Sequence, residues 1–364
     1  MTQSTALPRT MAAVVCHGPR DYRLEEVPVP RSGPGEVVVE VLAVGICASD
    51  VKCWDGADLF WKADGRRGAY AEPPAVAGHE PIGRVVALGE GAADKHGLQI
   101  GDLAISEQIV PCHQCRYCRR GQYWMCAMDH VYGFKSCLPG GMAAYMKYPA
   151  GALVHKVPAD MDPVYAAMIE PLTCSIHAVQ RAKIQFGDTV VIAGCGPLGL
   201  GMVGAARLTN PGRLITLDLR DNRLAVARRM GAQITMNPDK EDVVARVLEL
   251  TDGYGCDVYI EATGYVEAVP QGLRMIRKLG RFVEFSVHRE PVMVDWTLIG
   301  DVKELDIYGS HLGPYCYPLA IDYIHRGVID VAPIVTHTLP LAEFARGFEM
   351  VHAGTESIKV QLQP

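Results

Sequence analysis

The sequence predicts an α/β chain in which a β-rich N-terminal domain precedes a doubly wound parallel sheet. Three observations carry this: the length, a change of hydrophobic period near residue 163, and a glycine-rich turn joining an apolar strand to a helix. At 364 residues the chain exceeds the size at which one core stops growing, so about two domains are expected. Residues 11–110 run as short alternating stretches such as EVVVEVLAVGIC and PIGRVVALGEG, broken by Pro, Gly and Asp, which is the signature of strands. From PVYAAMIEPLTCSIHAVQRAKI the spacing turns helical. The apolar strands DTVVIAGCG, GRLITLDLR, DVYIEATG, RFVEFSV and LDIYGSH then alternate with helices, implying a parallel sheet. The tail holds one more helical stretch, YPLAIDYIHRG, and short strands expected to return in part to the first domain. The expected limits are 1–160 for the first domain, 161–312 for the second and 313–364 for the C-terminal segment.

Charge narrows the partners. Lys and Arg number 35 against 41 Asp and Glu, a net charge of -6, and no basic run follows a nucleic-acid backbone or an anionic membrane. A small-molecule partner is expected, with no nucleic acid and no membrane. The start MTQSTALPRT lacks the apolar stretch of a signal peptide, and the longest uncharged segment, TVVIAGCGPLGLGMVGAA, is broken by glycines and a proline. A cytoplasmic protein is expected, whose 12 cysteines are reduced thiols or metal ligands.

PCHQCRYCRRGQYWMC places Cys112, Cys115, Cys118 and Cys126 in the spacing C-x2-C-x2-C-x7-C. Two-residue spacings bring backbone amides toward the sulfurs and let a loop wrap one tetrahedral zinc. With four protein ligands such a site has no open position and is structural. The disulfide reading fails on compartment. The iron–sulfur reading lacks the C-x2-C-x2-C-x3-C-P run.

In the second domain the strand TVVIA runs into Gly194-x-Gly196-x-x-Gly199, with Pro197 and Leu198 between the last two glycines, and then into a helix. The glycines permit a tight turn, the approach of a pyrophosphate to amides at a helix N-terminus, and close packing of helix on strand. The next strand ends in Asp218, placed to accept from the adenosine ribose hydroxyls. A carboxylate there repels a 2′-phosphate, so NAD is expected over NADP, although Arg220 and the cofactor-binding candidate Arg223 follow closely. Thr263, after DVYIEA, completes the expected cofactor-binding set.

A second metal set lies in the β-rich domain: Cys47 in GICASD, with His79 and Glu80 in GHEPIGRVVALG. Thiolate, imidazole and carboxylate make a mixed set suited to zinc with an open position. Glu170 in MIEPLTC is a further carboxylate candidate, and Cys174 stands one helical turn on.

G-H-E-x-x-G, the upstream G-I-C-x-S-D, the four-cysteine loop, E-P-L and G-x-G-P-x-G together resemble the zinc-dependent medium-chain dehydrogenases over essentially the whole chain. Within that family the sequence is similar to the polyol branch, typified by sorbitol dehydrogenases, and looks most like the erythritol/L-threitol dehydrogenases. The resemblance implies a GroES-like catalytic domain, a Rossmann domain and an active-site cleft between them. It implies one catalytic and one structural Zn2+, NAD, and a homotetramer or dimer. Cys47, His79 and Glu80 would hold the catalytic zinc, with Glu170 a direct ligand or bonded to its water. Related alcohol dehydrogenases place a cysteine ligand at Cys174, which leaves that choice open. Ser49 matches the family's hydroxyl relay.

The implied reaction oxidises a secondary hydroxyl of a short sugar alcohol to a ketose. The alternatives are another zinc alcohol or polyol dehydrogenase acting on sorbitol, L-threonine or a simple alcohol, and a non-catalytic dinucleotide-binding protein. Cys53 replaces a tyrosine usual in sorbitol dehydrogenases, with Trp54 beside it as a wall. The lengthened connection before His79 brings Phe60, Trp61 and Tyr70, and Tyr132 and Phe134 form another candidate wall. His311 stands one place before the position of a polyol-gripping arginine that this chain lacks.

Overall fold

The computed structural model describes residues 7–63 and 68–364. The chain divides into two compact units, one of residues up to Glu170 together with Val335–Pro364, the other of Pro171–Ile334. Against the expected limits at 160 and 312, the second unit therefore keeps the helix Tyr317–His325, which a contact from Cys316 Sγ to Gln180 Oε1 at 3.6 Å helps to fasten. The expected α/β class is present, with mainly antiparallel sheets in the first unit, where Val335–Pro340 pairs parallel to Lys359–Gln363, and the parallel sheet in the second.

In the first unit a seven-stranded sheet runs in the order Val335–Pro340, Lys359–Gln363, Val37–Gly45, Glu80–Leu88, Leu103–Ser106 and Val154–Val157, with Tyr145–Tyr148 also paired to Val37–Gly45. A smaller sheet joins Asp21–Pro28, Thr10–Gly18 and Ala75–Val76. The central strand Val37–Gly45 is covered on both faces, which its β-branched run VVVEV suits. Val37, Val39, Val41 and Val44 enter a core with Tyr148, Phe348 and Leu362. The antiparallel register sets Gly45 opposite Glu80, so the end of one strand and the start of the next converge on the segment Cys47–Glu80.

The helical stretch from residue 163 forms two helices, Pro163–Ala166 and Ile169–Ala182. Pro171 gives the reason. It has no N–H for the carbonyl four residues back, so a continuous helix would be broken there, whereas the first turn of a new helix needs no such donor.

The second unit carries a six-stranded sheet in the order Ile234–Met236, Arg213–Leu217, Thr189–Ala193, Cys256–Glu261, Ile276–Glu284 and Asp306–Gly309. All five pairings are parallel. Numbered along the chain this is 3-2-1-4-5-6, the doubly wound order in which the direction of strand addition reverses between Thr189–Ala193 and Cys256–Glu261. Such sheets bind ligands at that switch, beyond the C-terminal ends of the strands. Its core includes Val191, Ile215, Val247, Tyr259 and Phe282. Among the described residues no helix is long and apolar enough to cross a membrane.

Candidate active site

Cys47 is the N-cap of the helix Ala48–Trp54, and Asp50 stands three residues on. Asp50 Oδ2 accepts the Cys47 N–H at 2.9 Å, the reciprocal arm of a capping box. Its other oxygen lies 3.3 Å from His79 Nδ1 but off line for a hydrogen bond. The turn thus fixes the cysteine and sets the same carboxylate beside the imidazole. The remaining nitrogen, Nε2, lies 3.5 Å from Ser49 Oγ. Donor atoms of Cys47, His79 and Glu80 all fall within 4.8 Å of one another.

The surroundings are anionic. Burial alone would lower His79, but the neighbouring Asp50 carboxylate outweighs it and holds the imidazole well above the usual histidine range. Glu170 is buried, and burial followed by the charge of Glu80 pushes its carboxyl up to about 8. Neither Glu170 nor Cys174 joins the mutually close donor set, although both are buried on the helix Ile169–Ala182. A dication suits this chemistry: soft thiolate, imidazole and hard oxygen together match zinc with room left for an exogenous ligand.

The four loop cysteines form a second group, with sulfurs within 4.8 Å of one another. The Cys115 amide meets Cys112 Sγ at 3.3 Å, the Cys118 amide meets Cys115 Sγ at 3.5 Å, and the Cys112 amide meets Cys126 Sγ at 3.3 Å. Amides aimed at sulfur favour thiolate. Those of Ala127 and Cys118 bring Cys115 down to about 6, and those of Gln114 and Cys115 lower Cys112. Burial, followed by Cys115, pushes Cys118 up to about 12. Such a group fits a closed tetrahedral zinc.

In the second unit Gly194 has φ +98°, and a Cβ on it would come 2.7 Å from the Ala262 carbonyl oxygen. A Cβ on Gly199 would run into the Gly194 carbonyl, whereas beside Gly196 the space is open. Gly196 is the N-cap of the helix Pro197–Arg207, with Pro197 in its first turn and Leu198 following. This leaves an uncovered helix N-terminus, the arrangement that receives a phosphate. Asp218 accepts from the Cys195 amide at 2.7 Å and the Arg220 amide at 2.8 Å, which places a carboxylate beside the turn. Thr263 packs against Gly194 and bonds to Glu261 through its amide and hydroxyl.

Comparison with known proteins gives the family. The model of the alcohol dehydrogenase GroES-like domain matches residues 33–159, and that of the zinc-binding dehydrogenases matches residues 197–326. The chain is 54% identical over 361 residues to the erythritol/L-threitol dehydrogenase of Mycolicibacterium smegmatis, covering 99% of each chain. It belongs to the zinc-dependent medium-chain dehydrogenases. Two solved structures extend the likeness. A Sinorhizobium meliloti chain described as a zinc-binding dehydrogenase bound to NADP superposes with TM-score 0.87 at 27% identity, over 98% of this chain and 100% of that one. An Escherichia coli alcohol dehydrogenase complexed with NADH gives 0.86, also at 27% identity, over 98% and 100%.

This medium-chain dehydrogenase is therefore an oxidoreductase dependent on zinc and a nicotinamide cofactor, built from a GroES-like and a Rossmann unit. Not every aromatic expected at the substrate lies near the donors. The Phe134 ring lies 5.4 Å from that of His79, tilted against it, and Phe60 and Tyr70 pack on Phe134 at 5.3 and 5.5 Å, so these three form an aromatic cluster beside the donor set. Trp54 lies outside it. Its ring packs on Phe348 at 5.7 Å in the core, with Arg20 over its face. Tyr132 is likewise buried in the core, with its hydroxyl 3.2 Å from Ser106 Oγ. Cys53 is buried, and the Trp61 indole donates to its carbonyl at 2.7 Å. Residues 64–67 of the lengthened connection lie outside the described residues. His311 is exposed on the second unit.

Two residues that the sequence reading passed over matter here. One is Asp50, for which the C-x-x-D spacing of a capping box was the available signal. Lys359, the first residue of the strand KVQLQ, is buried against Glu80.

Proposed function

We propose that this enzyme oxidises a secondary hydroxyl of a four-carbon sugar alcohol, erythritol or threitol, to its ketose with NAD. The observation that carries the reading is full-length identity of 54% to an erythritol/L-threitol dehydrogenase; the mixed donor set beside an aromatic cluster supports it. Cys47, His79 and Glu80 would hold the catalytic zinc, with Glu170, which senses the charges of Glu80 and His79, a direct ligand or bonded to its water, and Cys112, Cys115, Cys118 and Cys126 would hold the structural one. When bound, zinc supplies positive charge that lowers the pKa of the alcohol, and the nicotinamide accepts hydride. Asp50 keeps His79 and Cys47 in register, Ser49 Oγ takes the alcohol proton and passes it on, and Phe134, Phe60 and Tyr70 exclude water from one side.

NAD is favoured because Asp218 would face a 2′-phosphate with like charge. Gly194, Gly196, Pro197, Leu198, Gly199, Arg223 and Thr263 would line the dinucleotide. Twelve cysteines outside disulfides, several of them placed as metal ligands, suit a reducing, cytoplasmic setting. The enzyme forms a homo-oligomer, and one feature favouring this is the outer strand Asp306–Gly309 of the parallel sheet, which carries exposed Ile307 and follows a segment with exposed Trp296 and Val302.

A panel of alcohols followed by NADH absorbance tests the substrate. Erythritol or threitol should exceed sorbitol and xylitol by at least about tenfold in kcat/KM, roughly 1.4 kcal/mol of transition-state binding. Equal or better turnover of sorbitol, L-threonine or ethanol would overturn the four-carbon assignment. Metal analysis should give two zinc ions per chain.

A further inference from the structure

Lys359 opens the C-terminal strand Lys359–Gln363 and is 2% exposed. Its ammonium is bonded to Glu80 through Oε2 and donates to the Ile46 carbonyl at 3.1 Å. An ion pair this far from water loses in desolvation much of what it gains in attraction, and an apolar pair of similar volume is often as stable. Stability alone therefore does not call for it. The backbone also makes room for the pair. Gly45 stands opposite Glu80 across the sheet, and a Cβ there would run into Glu80 Oε2 and come within 2.7 Å of Lys359 Cε and 2.9 Å of its Nζ.

We infer that Lys359 is a positioning residue: by occupying Glu80 Oε2 it leaves that carboxylate one oxygen to offer beside Cys47 and His79, and so keeps a coordination position free for the alcohol. The inference rests on the zinc reading proposed above. A carboxylate can grip a cation with one oxygen or two, and a partner outside the ligand set decides which. Glu80 without its lysine regains the second oxygen, and the site loses a positive charge at the same time. Both changes tighten the metal and crowd the alcohol.

The test uses the holoenzyme, with cobalt exchanged for zinc at the Cys47 site as a spectroscopic probe. In K359M the visible cobalt bands should weaken as the ion gains an oxygen, the metal should leave to a chelator at least threefold more slowly, and kcat/KM should fall at least tenfold. A merely structural lysine would loosen the metal and leave the band pattern unchanged, and that result overturns the inference. Should K359M prove insoluble, G45A splits the pair sterically with both charges retained. The same weakening of the bands is expected there, and its absence overturns the inference equally. Wild-type enzyme that takes up no exchangeable metal would instead overturn the zinc reading itself.

Discussion

Asp50 serves two groups with one carboxylate, capping the helix through the Cys47 amide and standing against His79 Nδ1. Asp50→Ala should therefore cost stability and metal together. Loss of a helix cap typically costs about 1 kcal/mol, and loss of a partner behind a metal ligand about 10- to 100-fold in metal affinity or activity. Ser49→Ala makes the contrast, because the Ser49 hydroxyl touches His79 only at 3.5 Å. It should depress kcat while leaving zinc content intact. Zinc analysis and steady-state kinetics on the two variants check both, and an unchanged kcat in Ser49→Ala would remove the relay role. Residues at this scale were legible in the sequence where spacing carries chemistry, as with the four loop cysteines. Lys359 was not legible in this way: its partner Glu80 is 279 residues away along the chain, and only the closed sheet brings them together.

Parallel pairing fixes the neighbours of whole elements. Glu261 and Glu284 end adjacent strands in the same register, which sets two carboxylates side by side at the C-terminal edge of the Rossmann sheet. His288 Nε2 reaches Glu284 at 3.2 Å and Glu261 at 3.7 Å. Burial, and then the charge of Glu261, pushes Glu284 up from 4.5 to about 7 despite His288. Between these values the folded chain holds a proton that the unfolded chain has released. The contribution of this group to stability is thus present at low pH and lost as pH rises through about 7. Glu284→Gln fixes the neutral form, so the Tm of the variant relative to wild type should rise between pH 5 and pH 8. Thermal scans at both values check it, and a pH-independent difference would remove Glu284 from the linkage. At this scale the strands and the glycine turn were readable because period and turn chemistry are local. Trp54 and Tyr132 were not, since an aromatic side chain looks the same in sequence whether it walls a site or fills a core.

For the molecule as a whole, the two units differ in how the chain builds them. The Rossmann unit is one continuous run with a complete six-stranded sheet and its own core. The helix Ile169–Ala182 belongs with it in packing: Ser175 Oγ donates to the Leu198 carbonyl at 2.8 Å, and a Cβ on Gly201 would lie 2.5 Å from the same hydroxyl. The GroES-like unit is discontinuous. Its sheet is closed by Val335–Pro340 and Lys359–Gln363 from the far end of the chain, and Lys359–Gln363 pairs directly with Val37–Gly45. Without those strands the Val44–Gly45 end of the central strand loses its partner on one side and its apolar core faces water, an invitation to aggregation. Glu80 also loses its buried cation, and breaking a buried pair on one side costs about 3–5 kcal/mol, a large share of a domain's total stability. A fragment of residues 162–334, which keeps the Asp162 cap on the amide of Val164, should therefore be soluble, unfold cooperatively and bind NADH. A fragment ending at Glu170 should be insoluble or molten and should hold no metal at Cys47. Expression of both, with circular dichroism, NADH fluorescence and zinc analysis, decides the matter; a well-folded N-terminal fragment would show that closure by the last strand is dispensable.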